Sequence, residues 1–412
     1  MSAELLFIGG EDQHLRIPFM VALRDRGFRV RVAGSGDAAP FARENFEFRP
    51  LLFKRFISPL ADLVALRKMT RLIRELRPDI VQCFDTKPNV LVPLAARNIR
   101  GPSVVCTING LGWCYSSRSP IAATLRPIYR MLHRAAACST AATVFQNRED
   151  QKLFELNMMV GKGGGRLISS SGIDVEKFER AAAAGPSPAS VRQELGLGSS
   201  EVVITVSRIT RQKGISTLLR AASLVHEIRP NVRFLLVGPR DSEGRWAVAQ
   251  AEIDRHAPYV LAIGPRDDVP ALLRMADIFA FPTEYREGVP RALLEAALAG
   301  LPIVATQMPG CRDVVRDGET GVLVPPRAPR DLAEAVLGLL SDRETAGAMG
   351  VRAAALAKRE FDVGLIVESY VAVYYELLGR FTGNRLHPIR AGRRRLRSIW
   401  GREEKDSRVR MG

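Results

Sequence analysis

Short apolar runs alternate with longer stretches of helical period through the first half of the chain. Leu5–Ile8 is compact and apolar and stops at Gly9-Gly10. A helix-like stretch then runs to Arg26, and Gly27 ends it. Phe28–Ala33 alternates as a second strand. Asp79–Phe84 follows Pro78, Ser103–Ile108 follows Pro102, and both read as further strands. Such alternation predicts parallel strands joined by crossover helices, with a ligand crevice beyond the carboxyl ends of the strands.

The pattern breaks between Glu179 and Leu197. The run Ala181-Ala-Ala-Ala-Gly-Pro-Ser-Pro-Ala holds two prolines and no sustained amphipathic period, so residues 179–198 are predicted to be a linker. Alternation then resumes with Val202–Ser207 as a strand, Ile215–Arg229 as a helix, and Arg233–Val237 as a strand closing at Gly238. Val260–Ile263, Ile278–Phe281 and Pro302–Ala305 are further strands. The expectation is an α/β protein with two Rossmann-like domains, residues 1–178 and 199–360, facing across a cleft. Phe361–Leu378 (segment 361–379) is a long apolar helical stretch after the second sheet is complete, and 380–412 is a tail.

Composition agrees with two folded domains: 412 residues, 46% hydrophobic and 25% charged. Five scattered cysteines without a C-x-x-C pair argue against a disulfide framework or a structural zinc site, and fit a reducing cytosol. The first ten residues lack a basic n-region, and no run of 18 apolar residues occurs, so a cytoplasmic chain is expected. The net charge of +16 changes the picture, because eleven basic and three acidic residues between Arg380 and Arg410 supply half of it. Such a tail suits anionic lipid or nucleic acid, or is simply solvated. Lys54, Arg55, Lys68, Arg71, Arg74 and Arg77 recur around Leu60, Leu63, Leu66 and Ile73, as on a membrane-docking helix or an ordinary surface one. No RNP, zinc-finger or helix-turn-helix signature supports nucleic-acid binding.

Two segments carry candidate chemistry. In Glu287-Gly-Val-Pro-Arg-Ala-Leu-Leu-Glu295, Pro290 suits the first turn of a helix that ends at Gly300. The mouth of that helix favours a diphosphate, and Gly288 leaves room for close approach. Glu295, among leucines and alanines, needs polar partners that sugar hydroxyls would provide. On local physics alone the segment reads equally as a surface helix with a dipole-favouring acid at its start. In Ser207-Arg208-Ile-Thr-Arg-Gln-Lys213-Gly214, two cations at a strand end could clamp a pyrophosphate, or form a solvated basic loop. No D-x-D sequence is present to signal a metal holding that diphosphate, so no metal or other cofactor is expected.

Together these segments resemble the donor-site motif of glycosyltransferase family 4, two glutamates separated by seven residues, with its phosphate-binding Arg and Lys. Asp317-Gly-Glu-Thr-Gly-Val-Leu-Val-Pro-Pro resembles the turn and strand that follow in that family. The resemblance implies the GT-B fold, with Phe361–Leu378 returning to the first domain. It implies that Arg208 and Lys213 hold the donor diphosphate, Gly288, Val289 and Pro290 give it backbone contacts, Glu287 orients the transferred sugar and Glu295 binds the ribose. Gly238 falls on the same donor side. Asp85-Thr-Lys-Pro-Asn89, Cys106-Thr-Ile-Asn-Gly-Leu-Gly112, Phe145-Gln-Asn147 and Ser171-Gly-Ile-Asp174 resemble a bacterial branch that builds surface polysaccharide or glycans. That branch implies a UDP-sugar donor, a polyprenyl-diphosphate-linked acceptor and an enzyme peripheral to the inner face of the cytoplasmic membrane. Gly9, Gly10, Asn109 and Gly110 would lie on the acceptor side. Asn109 stands where many members carry His, so the leaving diphosphate is expected to take the acceptor's proton. A sugar-nucleotide epimerase of similar architecture is the alternative.

Overall fold

The structure is a computed structural model that describes residues 2–53, 58–117 and 119–382. The basic tail from 383 onward, and Lys54 and Arg55, lie outside the described residues.

The first half forms one parallel sheet from β1 (Glu4–Gly9), β2 (Arg29–Gly34), β3 (Glu47–Pro50), β4 (Ile80–Phe84), β5 (Ser103–Ile108), β6 (Ala142–Phe145) and β7 (Gly165–Leu167), ordered β3-β2-β1-β4-β5-β6-β7. The second half forms another from β8 (Glu201–Val206), β9 (Val232–Val237), β10 (Val260–Gly264), β11 (Ile278–Phe281), β12 (Ile303–Thr306) and β13 (Gly321–Val324), ordered β10-β9-β8-β11-β12-β13. The expected pair of Rossmann-like halves is therefore what the chain forms. Strand order reverses between β1 and β4 and between β8 and β11, which puts a crevice at those carboxyl ends. β4 and β5 are buried at every position, as strands covered on both faces must be.

One face of the first sheet packs on the helix Ile17–Asp25 and on the final helix, Val363–Thr382. That final helix comes from beyond the second half. It buries Ile366, Val367, Tyr370 and Tyr374 in the first core, where Tyr374 donates to Gln82 Oε1 at 2.8 Å and the Tyr370 and Thr107 hydroxyls lie 3.2 Å apart. The two crossings between halves run side by side: Ile173 N donates to Phe361 O, and Val363 N to Ile173 O, both at 2.9 Å.

The other face packs on the helices Pro59–Leu76 and Pro88–Ala96, and Pro88–Ala96 also touches Pro120–Ala137. Of the apolar residues read as a docking face, Ile73 turns into the core while Leu60 and Leu63 stay in solvent beside Val64. Lys68, Arg71, Arg74 and Arg77 are exposed. Pro120–Ala137 adds exposed Ile121, Ile128, Met131 and Leu132. No helix among the described residues is long and apolar enough to cross a membrane.

The stretch expected as a linker is largely helical. Val175–Ala184 and Pro188–Glu194 are helices, and Phe178, Ala182, Val191 and Leu197 are buried, Phe178, Val191 and Leu197 in the second half's core. The residues that read as chain breakers start the second helix: Ser187 Oγ accepts from Ser190 N at 3.2 Å and Pro188 occupies the first turn.

Candidate active site

Lys213 is placed by a tight turn. β8 ends before Ser207-Arg208, Thr210 caps a 3-10 turn over Arg211–Lys213, and Gly214 (φ +72°) leads into the helix Ile215–Ile228. A Cβ on Gly214 would sit 1.8 Å from the Pro282 carbonyl oxygen, so only glycine lets this turn reach the end of β11. Replacing it with alanine is expected to cost about 2–5 kcal/mol, from left-handed strain plus overpacking, and to displace Lys213. Thermal unfolding and transfer rate measure this; an unchanged melting temperature would mean that the Pro282 loop yields freely.

At that loop Lys213 Nζ meets Glu287 Oε2 at 2.5 Å and lies 5.3 Å from the Phe281 ring centroid. Thr283 Oγ1 donates to the other Glu287 oxygen at 2.9 Å. Both charged side chains are mostly withdrawn from solvent, at 11% and 18% exposure. Arg208 does not join them: its Nη1 pairs with Glu243 Oε2 at 3.0 Å. Gly238 (φ +143°) follows β9, and its missing Cβ is required by the Ser207 carbonyl, 2.0 Å from where a Cβ would stand.

The helix after β11 runs Arg291–Leu298, so Pro290 is its cap and not its first turn (φ −69°, ψ 124°). No side chain caps this N-terminus; Leu293 N turns back to Pro290 O at 3.1 Å, and the Arg291 and Ala292 amides are left for an anion. Glu295 has a protein partner that sequence reading overlooked: Arg291 Nε at 2.8 Å, one turn back. Arg291 Nη1 also donates to Leu15 O of the first half at 3.1 Å. The expected open space at Gly288 is filled, because a Cβ there would meet Gln146 Oε1 at 1.9 Å, and one on Gly310 would meet the Gly288 carbonyl at 1.9 Å.

The first half meets this loop edge to edge. Gly288 N donates to Asn109 O at 2.8 Å, and Val289 N to Gln146 Oε1 at 3.2 Å. Gly110 (φ +102°) passes so close that a Cβ would fall 2.6 Å from the Glu287 carbonyl carbon. Arg286 N donates to Ser116 Oγ at 2.7 Å, and Arg286 Nη2 to Asp150 Oδ1 at 2.8 Å. Burial raises the Asp150 pKa, although Arg286 and Asn147 pull it down. Trp113 and Trp246 face each other across the cleft with centroids 6.3 Å apart. Gly9-Gly10 ends β1, and Gly10 N donates to Asp85 Oδ2 at 2.8 Å.

Thus Lys213, Glu287, Gly288, Val289, Asn109 and Gly110 come together, while Arg208 and Glu295 are held aside by Glu243 and Arg291. Sequence reading missed Thr283, Glu243, Arg286 and Asp150. Gln146 and Arg291 lay within quoted motifs but were given no role.

Residues 19–153 match the family model described as Glycosyltransferase Family 4, and residues 200–342 the model described as Glycosyl transferases group 1. The Campylobacter jejuni N,N'-diacetylbacillosaminyl-diphospho-undecaprenol alpha-1,3-N-acetylgalactosaminyltransferase is 24% identical over 89% of this chain and 96% of its own length. The Escherichia coli UDP-Gal:alpha-D-GlcNAc-diphosphoundecaprenol alpha-1,3-galactosyltransferase is 28% identical over 66% of this chain and 68% of its own. The crystal structure of Anabaena HepE in complex with UDP-glucose superposes with a TM-score of 0.73 at 21% identity, covering 90% of this chain and 99% of that one. The two family models abut the cleft from either side, and the parallel sheets beneath them have the arrangement of that solved structure. The chain is a glycosyltransferase of the GT-B fold, built from a Glycosyltransferase Family 4 domain followed by a Glycosyl transferases group 1 domain.

Proposed function

We propose that this glycosyltransferase is metal-independent and retaining, and moves a hexose or N-acetylhexosamine from a UDP-sugar to a polyprenyl-diphosphate-linked saccharide. The observation that carries the reading is the Lys213–Glu287 pair at an uncapped helix mouth, directly against Asn109 and Gly110 of the other half. The names of the Campylobacter and Escherichia relatives support the acceptor class, and the UDP-glucose bound by HepE supports the donor.

Lys213, with Arg208 once it exchanges Glu243 for phosphate, neutralises the departing diphosphate. The uncapped start of the helix Arg291–Leu298 adds a fixed dipole there; the Gly288 and Val289 amides are already taken by Asn109 O and Gln146 Oε1, and Pro290 has none. Glu287 orients the transferred sugar, Glu295 takes the ribose, and Gly238 keeps the β9 end close to the diphosphate. Gly9, Gly10, Asn109 and Gly110 face the acceptor. The C1–O bond to the diphosphate breaks as the acceptor oxygen bonds to C1 from the same face. Asn109 cannot take a proton near neutral pH, so the acceptor proton passes to the leaving phosphate oxygen, and configuration is kept.

Exposed Leu60, Leu63 and Val64, followed by Lys68, Arg71 and Arg74 on one helix, support docking to an anionic bilayer from the cytoplasmic side. The test is a panel of UDP- and GDP-sugars with a polyprenyl-diphosphate monosaccharide, read by mass spectrometry and by the anomeric coupling of the product. The expected result is UDP release and an α-linked product only when acceptor is present. Conversion of the donor without acceptor would support an epimerase, and an inverted linkage would end the retaining mechanism.

A further inference from the structure

We propose that Asp85, with Arg16 and Asn109, forms a subsite that grips two neighbouring hydroxyl groups of the acceptor saccharide. The inference rests on the transferase reading above. Asp85 stands just past β4, beside β1, where the strand order of the first sheet reverses. Its φ of +70° is a left-handed conformation that few residues other than glycine adopt, so the surroundings must hold it there. Three donors do so: Gly10 N at 2.8 Å on Oδ2, and Arg16 Nη2 at 3.1 Å with Asn109 Nδ2 at 3.4 Å on Oδ1.

A carboxylate offers about four acceptor sites, so these contacts leave one open, and the Asp85 side chain is 34% exposed. Its two neighbours are each incomplete. Asn109 Oδ1 and Arg16 Nη1 are buried and lack a hydrogen-bond partner. Arg16 is also fixed over the Phe84 ring, 4.5 Å from its centroid, and only 11% exposed. Leaving such buried groups unpaired costs stability that a ligand would recover.

Their chemistry selects the ligand. Asp85 and Asn109 Oδ1 need hydroxyl protons, whereas Arg16 Nη1 needs an oxygen. Vicinal sugar hydroxyls supply both. A phosphate would satisfy Arg16 but face the Asp85 carboxylate, so the saccharide and not its diphosphate belongs here. Asn109 also ties this subsite to the donor loop through its carbonyl contact with Gly288, so a sugar held here lies next to Lys213 and Glu287.

The test uses Asp85→Asn in the full chain, since asparagine tolerates a left-handed backbone. The acceptor KM is expected to rise roughly 10- to 100-fold, the value of one or two charge-assisted hydrogen bonds, with the donor KM and UDP binding by calorimetry unchanged. Independently of any transfer, saturation-transfer NMR on the UDP-loaded protein with methyl α-glycosides of glucose, galactose and their N-acetyl-2-amino forms should show ring-proton signals in wild type that Asp85→Asn loses. These signals in wild type without any transfer to lipid-linked sugars would keep the subsite and sink the acceptor reading. A wild-type acceptor KM with undiminished NMR signals, or an equal loss of UDP binding, would overturn the subsite.

Discussion

Lys213→Ala will lower the transfer rate roughly 10²- to 10³-fold, the loss typical of removing one fixed electrostatic contact to developing charge. Nothing else described lies so close to Glu287 with a positive charge: Nζ is 2.5 Å from Oε2, and the turn that delivers it is fixed by Gly214 against Pro282. The substitution leaves the Glu287 carboxylate with the Thr283 hydroxyl but without its cation, at a position only 18% exposed. Part of the loss is therefore the cost of an unbalanced charge, and the double variant Lys213→Ala/Glu287→Gln separates the two. If the lysine acts on the diphosphate, the double variant stays as slow as the single one. If its task is only to neutralise Glu287, the double variant is no slower than Glu287→Gln alone. Wild-type rates in Lys213→Ala would remove the lysine from the reaction altogether.

Ending the chain at Asp362 will leave the first half unfolded. The final helix buries Ile366, Val367, Tyr370, Val371, Val373, Tyr374 and Leu377 on the first sheet. At ~1.5–3 kcal/mol for each such side chain, the loss is on the order of 10 kcal/mol or more, against about 5–15 kcal/mol for a whole domain. Gln82 and Thr107 would also lose the tyrosine hydroxyls that pair with them inside the sheet. Ending at Thr382 keeps the helix, so that variant should melt like the full chain while the shorter one is cleaved rapidly by protease. Two unfolding transitions at native temperatures in the shorter protein would overturn this expectation.

Much of the architecture was legible because buried parallel strands are apolar runs with sharp ends. Ser103–Ile108 and Ile278–Phe281 are bounded in the structure where the sequence puts them. β3 and β7 were not legible: Glu47–Pro50 is a mostly exposed edge strand, and Gly165–Leu167 is only three residues of half-buried chain. β6 was hidden because Ala142–Phe145 follows an alanine-rich helix without Gly or Pro between them. At the site, the family resemblance put Lys213 and Glu287 in one donor site, though they lie far apart in the chain. It could not show that Arg208 rests on Glu243, thirty-five residues away; the Arg291–Glu295 pair, four residues apart on one helix, was legible in the spacing and overlooked. The contacts across the cleft, Arg286 to Asp150 and Gly288 to Asn109, depend on how two sheets are set against each other. No local pattern encodes that.

The place of the final helix also bears on how the protein is made. All seven strands of the first sheet precede the second half in the chain, yet the helix Val363–Thr382 that completes their core is synthesised only after every strand of that second half. At about 5–20 residues per second, the intervening two hundred or so residues take on the order of 10–40 s. During that interval Phe7, Phe19 and Phe84, which the finished protein buries completely, wait for the helix that brings Tyr370 against Phe19. The second half, whose core residues run from Ile173 to Phe361 without a later helix, can close first. The first half is the one that must be kept from aggregating until that helix has been made.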